Sequence, residues 1–382
     1  MRAIFWGAVA LITYTYVGFP LLVVLRGWLR PKPFSSGTET PPISVLIAAH
    51  NEASSIGAKL ENLRSLDYPP GRLEIIVASD GSDDATNEIV SASGEGVSLL
   101  ALPRSGKAAA LEAAARRANG EILVFSDANS IYRANAIRVL VAPFADPSIG
   151  GVAGNQVYAG GGQAGTGLGE RNYWSYDRLL KTFESRAGNT IAATGAIYAI
   201  RASLFRPIPV GVNDDFFLSL GVIAQGYRLV FAPDAVAYEP QAADGAAEFA
   251  RKVRVMTRAM RCFIEMRALL DPRKYGFYSL QLISHKALRW WMAVPLIAAA
   301  AASVALARAG RLYALAALVQ AAFYGGALVG LISERAGAGR NRALGLAGYF
   351  CMANAAALRA TLNVVRGIHV DRWEPRRAQA TR

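Results

Sequence analysis

The sequence predicts an α/β domain with a mostly parallel sheet, carried between apolar segments of membrane-spanning length at both ends of the chain. Three observations predict it. Between Ile43 and roughly Arg267, short apolar runs closed by polar residues alternate with helical patterns, the mark of a parallel sheet covered by helices. Long apolar stretches with few charges lie before and after that region. The composition pairs 53% hydrophobic residues with a formal net charge of +13, as expected when apolar residues gather in spans while Lys and Arg gather beside an anionic leaflet.

Taken in order, the 382 residues begin with a charge-free apolar run from Ile4 to Leu25, followed at once by Arg26, Arg30 and Lys32. A secretory leader has its positive charge before the apolar stretch, so the reversed order predicts a retained anchor over residues 1–30 whose C-terminal end is cytoplasmic. Residues 31–42, rich in Pro, Ser, Thr and Gly, read as a linker. The α/β domain is expected over 43–267, with SVLIAA, LEIIVAS and EILVFSD as the clearest strands and Ala108–Ala118 as a helix between them. An interfacial segment is expected over 268–287 and a C-terminal membrane region over 288–366, made of Leu288–Ala307, Leu312–Ile332 and Leu344–Val365. The last of these carries Asn354, Arg359 and Asn363, so it reads either as a span lining a protein interior or as an interfacial helix. If it crossed, the Arg-rich tail 367–382 would end outside, against the positive-inside tendency; three spans in all are therefore expected, in a plasma (inner) membrane with the α/β domain in the cytoplasm.

The same inventory excludes several classes. Cys262 and Cys351 stand alone without CxxC spacing, which argues against a disulfide framework or a zinc site and for a reducing compartment. No zinc-finger spacing or aromatic-basic RNA signature accompanies the positive charge, so nucleic acid is not the expected partner. Neither GxGxxG nor GxxxxGK[ST] follows a strand, which disfavours a dinucleotide or Walker-type site.

In open sheets, sites form beyond the C-terminal strand ends. AAHNE places His50, Asn51 and Glu52 on such a loop, although a capping turn would use the same residue types. In SDGSDDAT, Gly81 permits a tight turn and Ser82 or Asp83 can cap the next helix; Asp80 is left over, and its carboxylate suits a nucleobase or ribose. Lys107 sits near a helix start, where a cation gains nothing from the dipole, so it serves some other anion or is a solvated surface lysine.

VFSDANS offers Asp127 and Asn129, which on an extended chain point the same way. Magnesium or manganese accepts such carboxylate and amide oxygens with phosphate and water, and an ordinary strand-to-turn transition favours the same residues. Asp214 and Asp215 open a helix, where the dipole stabilises acidic residues and where a general base is equally well placed. Arg251, Arg254, Arg258 and Arg261 recur on one helix face, fit to clamp a pyrophosphate or to lie on anionic lipid.

The ordered set AAHNE, SDGSDD, SGKAAAL, SDANS, TGA, NDD and GYRLVFAPDAVAYE, followed by apolar segments, resembles glycosyltransferase family 2, which includes cellulose, chitin and hyaluronan synthases. The likeness covers roughly residues 41–265, and Trp373–Arg377 (WEPRR) is similar to bacterial exopolysaccharide members. The resemblance implies a GT-A fold and inverting transfer from a nucleotide-diphosphate sugar, a UDP-sugar by preference, with a magnesium or manganese ion. It implies donor contacts from His50, Glu52, Asp80, Lys107 and Asp127, metal ligation by Asp127 with Asn129 in the third place, and Asp215 as the base, with Asp214 standing where the family has Glu. Thr194, Gly195, Arg251 and Arg254 fall to the acceptor and pyrophosphate side.

The Q-x-x-R-W element of processive synthases is replaced here by Arg251, Lys252, Val253, Arg254 and Val255, which argues against acceptor binding in the manner of cellulose synthase. The implied acceptor is a glycan or lipid-linked sugar in exopolysaccharide or cell-envelope polysaccharide synthesis, with membrane lipid and synthesis or export proteins as partners. The alternatives are a polyprenyl-phosphate glycosyltransferase and a catalytically silent scaffold that binds nucleotide-sugar within a synthase complex.

Overall fold

The computed structural model describes residues 1–159, 165–240, 245–335 and 342–368; the WEPRR element and nearly all of the basic tail lie outside the described residues. The chain divides into two compact units. The α/β unit comprises residues 30–159 and 184–240, and the helical unit 1–29, 160–183 and 241–369.

The unbroken α/β stretch expected over 43–267 is thus interrupted. Leu180, on the helix Gly165–Ala187, is buried with Phe19 and Val23 in the helical unit, and the helix Gly245–Glu265 packs on the helix Arg342–Val365 there. The expected linker instead joins the α/β unit, held by Gly37 N donating to Ala142 O (2.9 Å) and Tyr68 Oη donating to Pro41 O (2.6 Å).

The α/β unit is built on eight strands: β1 (Ile43–Ala49), β2 (Leu73–Asp80), β3 (Val97–Leu102), β4 (Ile122–Asp127), β5 (Ile131–Tyr132), β6 (Ile149–Ala159), β7 (Tyr198–Arg201) and β8 (Arg228–Pro240). They form one sheet in the order β3-β2-β1-β4-β7-β6-β8-β5. The three strands read from sequence are β1, β2 and β4, which pair in parallel about a wholly buried β1. The sheet is more mixed than expected, because β7 runs antiparallel to both β4 and β6, and β5 runs antiparallel to β8. The edge strand β3 went unread because its VSLLAL run is only half-buried, on one flank of the sheet.

Alternation along β1 sends Ile43, Val45 and Ile47 to a single core, where they meet Ile56, Leu60 and Leu63 of the helix Ile56–Arg64 and Ile137 and Leu140 of the helix Ala136–Val141. Each such aliphatic side chain, fully buried, contributes about 1.5–3 kcal/mol.

Within the helical unit, two helices among the described residues are long and apolar enough to cross a membrane: Arg2–Leu29, which carries a π-helical turn at Tyr14–Gly18, and Arg311–Ser333. Leu21, Val294, Ile297, Leu318 and Val319 turn apolar side chains outward in this unit. The stretch expected as a straight span from Leu288 to Ala307 is broken, since Phe277–Trp290 and Ala293–Ala305 meet at 58°. Pro295 explains the break. It has no N–H for the carbonyl of Trp291, which instead accepts from Val294 N (3.1 Å) in a tighter turn. Residues 277–287, expected in an interfacial segment, form the first arm of this bent pair. Leu344–Val365 is helical, within the 24-residue Arg342–Val365, which is long enough to span but not apolar enough to count as one.

Candidate active site

Parallel register aligns Ala48 with Ala78 on one side and Asp127 on the other, so β1, β2 and β4 deliver their following loops to one edge. Those loops are interlocked. His50 Nδ1 donates to the carbonyl of Asp80 at 2.8 Å. Asn51, at φ +56°, donates through its backbone N to Ser82 Oγ (3.1 Å) and accepts at Oδ1 from Asp83 N (2.9 Å). Glu52 N donates to Thr86 Oγ1 (2.9 Å), and Ala53 N to Asp84 Oδ2 (3.0 Å). The helix Thr86–Ser91 is therefore not capped by Ser82 or Asp83, as expected: those two engage Asn51, and Asp84 Oδ1 accepts from Thr86 N at 3.0 Å instead.

Asp80 has no exposed side-chain surface. Its Oδ1 accepts from Ser105 N (2.6 Å) and Gly106 N (2.8 Å), and its Oδ2 pairs with Arg104 (2.8 Å). Gly81, at φ +62°, makes room for this loop, since a Cβ there would stand 2.9 Å from Arg104 N. Both oxygens of Asp80 thus hold the loop that delivers Lys107, because a buried carboxylate is stable only where donors satisfy it.

Lys107 opens the helix Lys107–Arg117, and the anions it serves are now visible. Its Nζ lies 2.8 Å from Asp127 Oδ1 and 3.2 Å from Asp214 Oδ2. Burial alone would push the ammonium down, yet Asp127 and Asp214 hold it above the ordinary lysine range.

Asp127 ends β4, and Ala128 and Asn129 form a turn, so the two side chains do not project from an extended chain as expected. A tie from Ser130 Oγ to Asp127 O (2.9 Å) closes that turn. About a third of the Asp127 side chain (32%) stays open to solvent. Asn129 lines a cavity of about 470 Å³ with Ser55, Ile131, Tyr238 and Glu239.

Gly195 backs directly onto Asp127, because a Cβ there would lie 3.1 Å from Asp127 Oδ2. Thr194 Oγ1 is buried without a hydrogen-bond partner among the described residues. This loop is tied to the helix Asp214–Ala224 through Ser219, whose Oγ accepts from Ala193 N (2.9 Å) and donates to Asp215 O (2.6 Å). A Gly195→Ala variant is expected to displace the Asp127 carboxylate and lower donor kcat/KM by about tenfold or more, with Tm nearly unchanged; steady-state kinetics beside a thermal melt checks it.

Asp214 and Asp215 open their helix as expected. Burial first, and the adjacent Asp214 charge second, push the Asp215 carboxyl up to about 6, against the opposing pull of Lys107 and of a hydrogen bond from Phe216 N (2.7 Å). Burial likewise raises Glu52, with a contribution from Asp127, against a hydrogen bond from Ser55 Oγ (2.6 Å).

The α/β unit thus contains His50, Glu52, Asp80, Lys107, Asp127, Asn129, Thr194, Gly195, Asp214 and Asp215. Arg251 and Arg254 belong to the helical unit, and Glu248 binds the Arg251 guanidinium through Nε (2.7 Å) and Nη2 (2.6 Å). The sequence showed that carboxylate three positions earlier on the same helix face, a spacing that predicts the pair. The tie of Arg104 to Asp80 and that of Ser219 to Ala193 carried no local signal, since those partners lie two dozen or more residues away in the chain.

Residues 44–208 match the family model described as Glycosyl transferase family 2. This stretch is a glycosyl transferase family 2 domain. The family 2 domain runs from β1 past β7, stopping just short of Asp214 and Asp215. The chain is 27% identical over 218 residues to an N-acetylglucosaminyltransferase of Bradyrhizobium diazoefficiens, covering 52% of this chain and 44% of that one. It is 26% identical over 224 residues to a poly-beta-1,6-N-acetyl-D-glucosamine synthase of Staphylococcus aureus, covering 56% and 53%. The chain spans about half the length of the curated relatives it matches. Among solved structures, the mannosyltransferase PcManGT from Pyrobaculum calidifontis, in complex with GDP-Man and Mn2+, is similar at a TM-score of 0.67 and 28% identity, over 93% of this chain and 99% of that one. The GT-A architecture expected from the motifs is the one the sheet displays.

Proposed function

We propose that this chain is a membrane-anchored inverting glycosyltransferase that moves a sugar from a nucleoside-diphosphate donor to a glycan or lipid-linked acceptor in the synthesis of an envelope or extracellular polysaccharide. The observation that carries it is the arrangement of Asp127, Asp214 and Asp215 around Lys107, with Asp215 pushed up to about 6. A carboxylate so tuned is ionised at neutral pH and still basic enough to take the proton of an acceptor hydroxyl as that oxygen attacks the anomeric carbon. One base suffices for inversion, and the nucleoside diphosphate departs from the opposite face. Lys107 holds Asp127 and Asp214 in place, and the interlocked loops carrying His50 and Glu52 form the donor side.

The residues fit a divalent ion that arrives with the diphosphate. Asp127 keeps an open side and would hold the ion, Asn129 two residues on would be the second oxygen ligand, and hard ions of this kind take few protein ligands when phosphate and water complete the shell. Such an ion neutralises charge on the leaving diphosphate. The solved relative, held with GDP-Man and Mn2+, supports both donor class and ion. The names of the curated relatives make UDP-N-acetylglucosamine the first donor to test and the solved relative makes GDP-mannose the second. Arg2–Leu29, Arg311–Ser333 and the bent pair supply the anchor, with the α/β unit on the cytoplasmic side.

Full-length protein in detergent, incubated with a panel of UDP- and GDP-sugars, is expected to consume one donor when magnesium or manganese is present and to stop when EDTA is added. Turnover that survives EDTA rules out the ion, and turnover of none of the donors rules out the enzyme reading. Radiolabelled product that lengthens marks a polymerase, whereas a lipid monophosphate sugar marks a polyprenyl-phosphate transferase.

A further inference from the structure

The helix Ile56–Arg64 faces the sheet through positions 56, 59, 60 and 63, of which three are the aliphatic Ile56, Leu60 and Leu63. The fourth is Lys59, with no exposed surface at all. Its Nζ donates to the carbonyl of Ser130 at 2.7 Å, lies 3.2 Å from Ser130 Oγ, and sits 3.6 Å from the centre of the Tyr132 ring. The ammonium is thus satisfied by one carbonyl, one hydroxyl and one aromatic face.

Those partners lead to two loops. The Ser130 hydroxyl is within reach of the carbonyls of Asp127 (2.9 Å) and Ala196 (3.2 Å) and of Ser126 Oγ (3.1 Å). Tyr132 Oη donates to the same Ala196 carbonyl at 3.1 Å. Ala196 follows Gly195, the residue whose missing side chain lets the backbone lie against Asp127. A single buried amine therefore sits under both the turn after Asp127 and the loop behind it.

A buried lysine is a poor way to stabilise a core. Desolvation pushes Lys59 well below the ordinary lysine range, opposed only by the fields of Asp127 and Glu239, and an aliphatic side chain at this position would fill the space without that penalty. A polar group set against the local rule is characteristic of a site where geometry matters more than stability.

We propose that Lys59 is a positioning residue for sugar transfer: its amine fixes the Asp127–Ser130 turn against the Thr194–Ala196 loop, so that Asp127 meets the donor diphosphate at one distance. This rests on the donor-side reading of Asp127.

The test compares full-length wild type, Lys59→Met and Ser130→Ala in detergent, by amide hydrogen exchange, thermal melting and donor kinetics. In Lys59→Met, exchange is expected to rise at 127–132 and 194–197 together while β1 and β2 stay protected. Donor kcat/KM is expected to fall by about tenfold or more, chiefly through KM and the ion concentration for half-activation. Ser130→Ala reproduces the pattern at smaller amplitude, and it decides the matter by the same readouts if Lys59→Met does not fold. Unchanged exchange at the two loops, or a rise spread evenly over the sheet with a large loss of Tm, overturns the proposal. If wild type turns over no nucleotide sugar, the functional reading fails, while the exchange pattern still decides whether Lys59 sets these loops.

Discussion

Asp215→Asn is expected to lower kcat by about a thousandfold, the contribution of a positioned general base, while leaving donor binding near its wild-type value. The amide keeps the shape of the carboxylate but takes up no proton at neutral pH, so a loss confined to kcat identifies base catalysis. In wild type, kcat/KM is expected to rise with pH through about 6 and then level off, because Asp215 must be ionised to accept a proton.

The stability sign runs the other way. A carboxyl whose folded-state value is raised from 3.8 to about 6 favours folding most fully below its unfolded value, and that contribution is lost as pH rises through 6. Asp215→Asn is therefore at least as stable as wild type at neutral pH. A variant retaining more than about a tenth of wild-type turnover, or a wild-type profile flat from acid to neutral pH, removes Asp215 from the role assigned to it. Full retention is what a silent nucleotide-sugar scaffold predicts.

Lys107→Met is expected to have the largest effect on the fold. It leaves Asp127 and Asp214 without their shared cation, and removing one partner of a largely buried ion pair costs about 3 kcal/mol. The open third of Asp127 keeps the loss at the low end of such cases. The ascending limb of the pH profile should also move above 6, because Lys107 is the charge that holds Asp215 down. A denaturant midpoint shared with wild type, or an ascending limb that stays put, shows that Lys107 does not serve these carboxylates. The two measurements are independent, since one reads folding and the other reads the charge at the base.

Much of this was legible without a structure. β1, β2 and β4 could be read because strands buried on both faces appear as short apolar runs closed by polar residues, and the site loops followed because each strand has only one C-terminal end. Asp214 and Asp215 at a helix start, and the apolar lengths of Arg2–Leu29 and Arg311–Ser333, were local patterns too.

Other features were decided only in three dimensions. Asp80 holds a loop some two dozen residues later in the chain, and Lys107 joins Asp127 to Asp214. Asn129 left the extended geometry assumed for it because a turn begins directly after Asp127. Lys59 lies among the aliphatic residues of its helix, but neither the carbonyl it binds nor the loop beyond could be read from the sequence. By itself, then, the sequence determined the fold class, the edge of the sheet where the candidate site is proposed and the residue types gathered there, since burial periodicity and strand direction are properties of neighbouring residues. The tertiary structure decided which carboxylate is free, which is held and which is tuned, because the energy of a charged group depends on its depth from solvent and on partners that only the folded chain brings within a few ångströms.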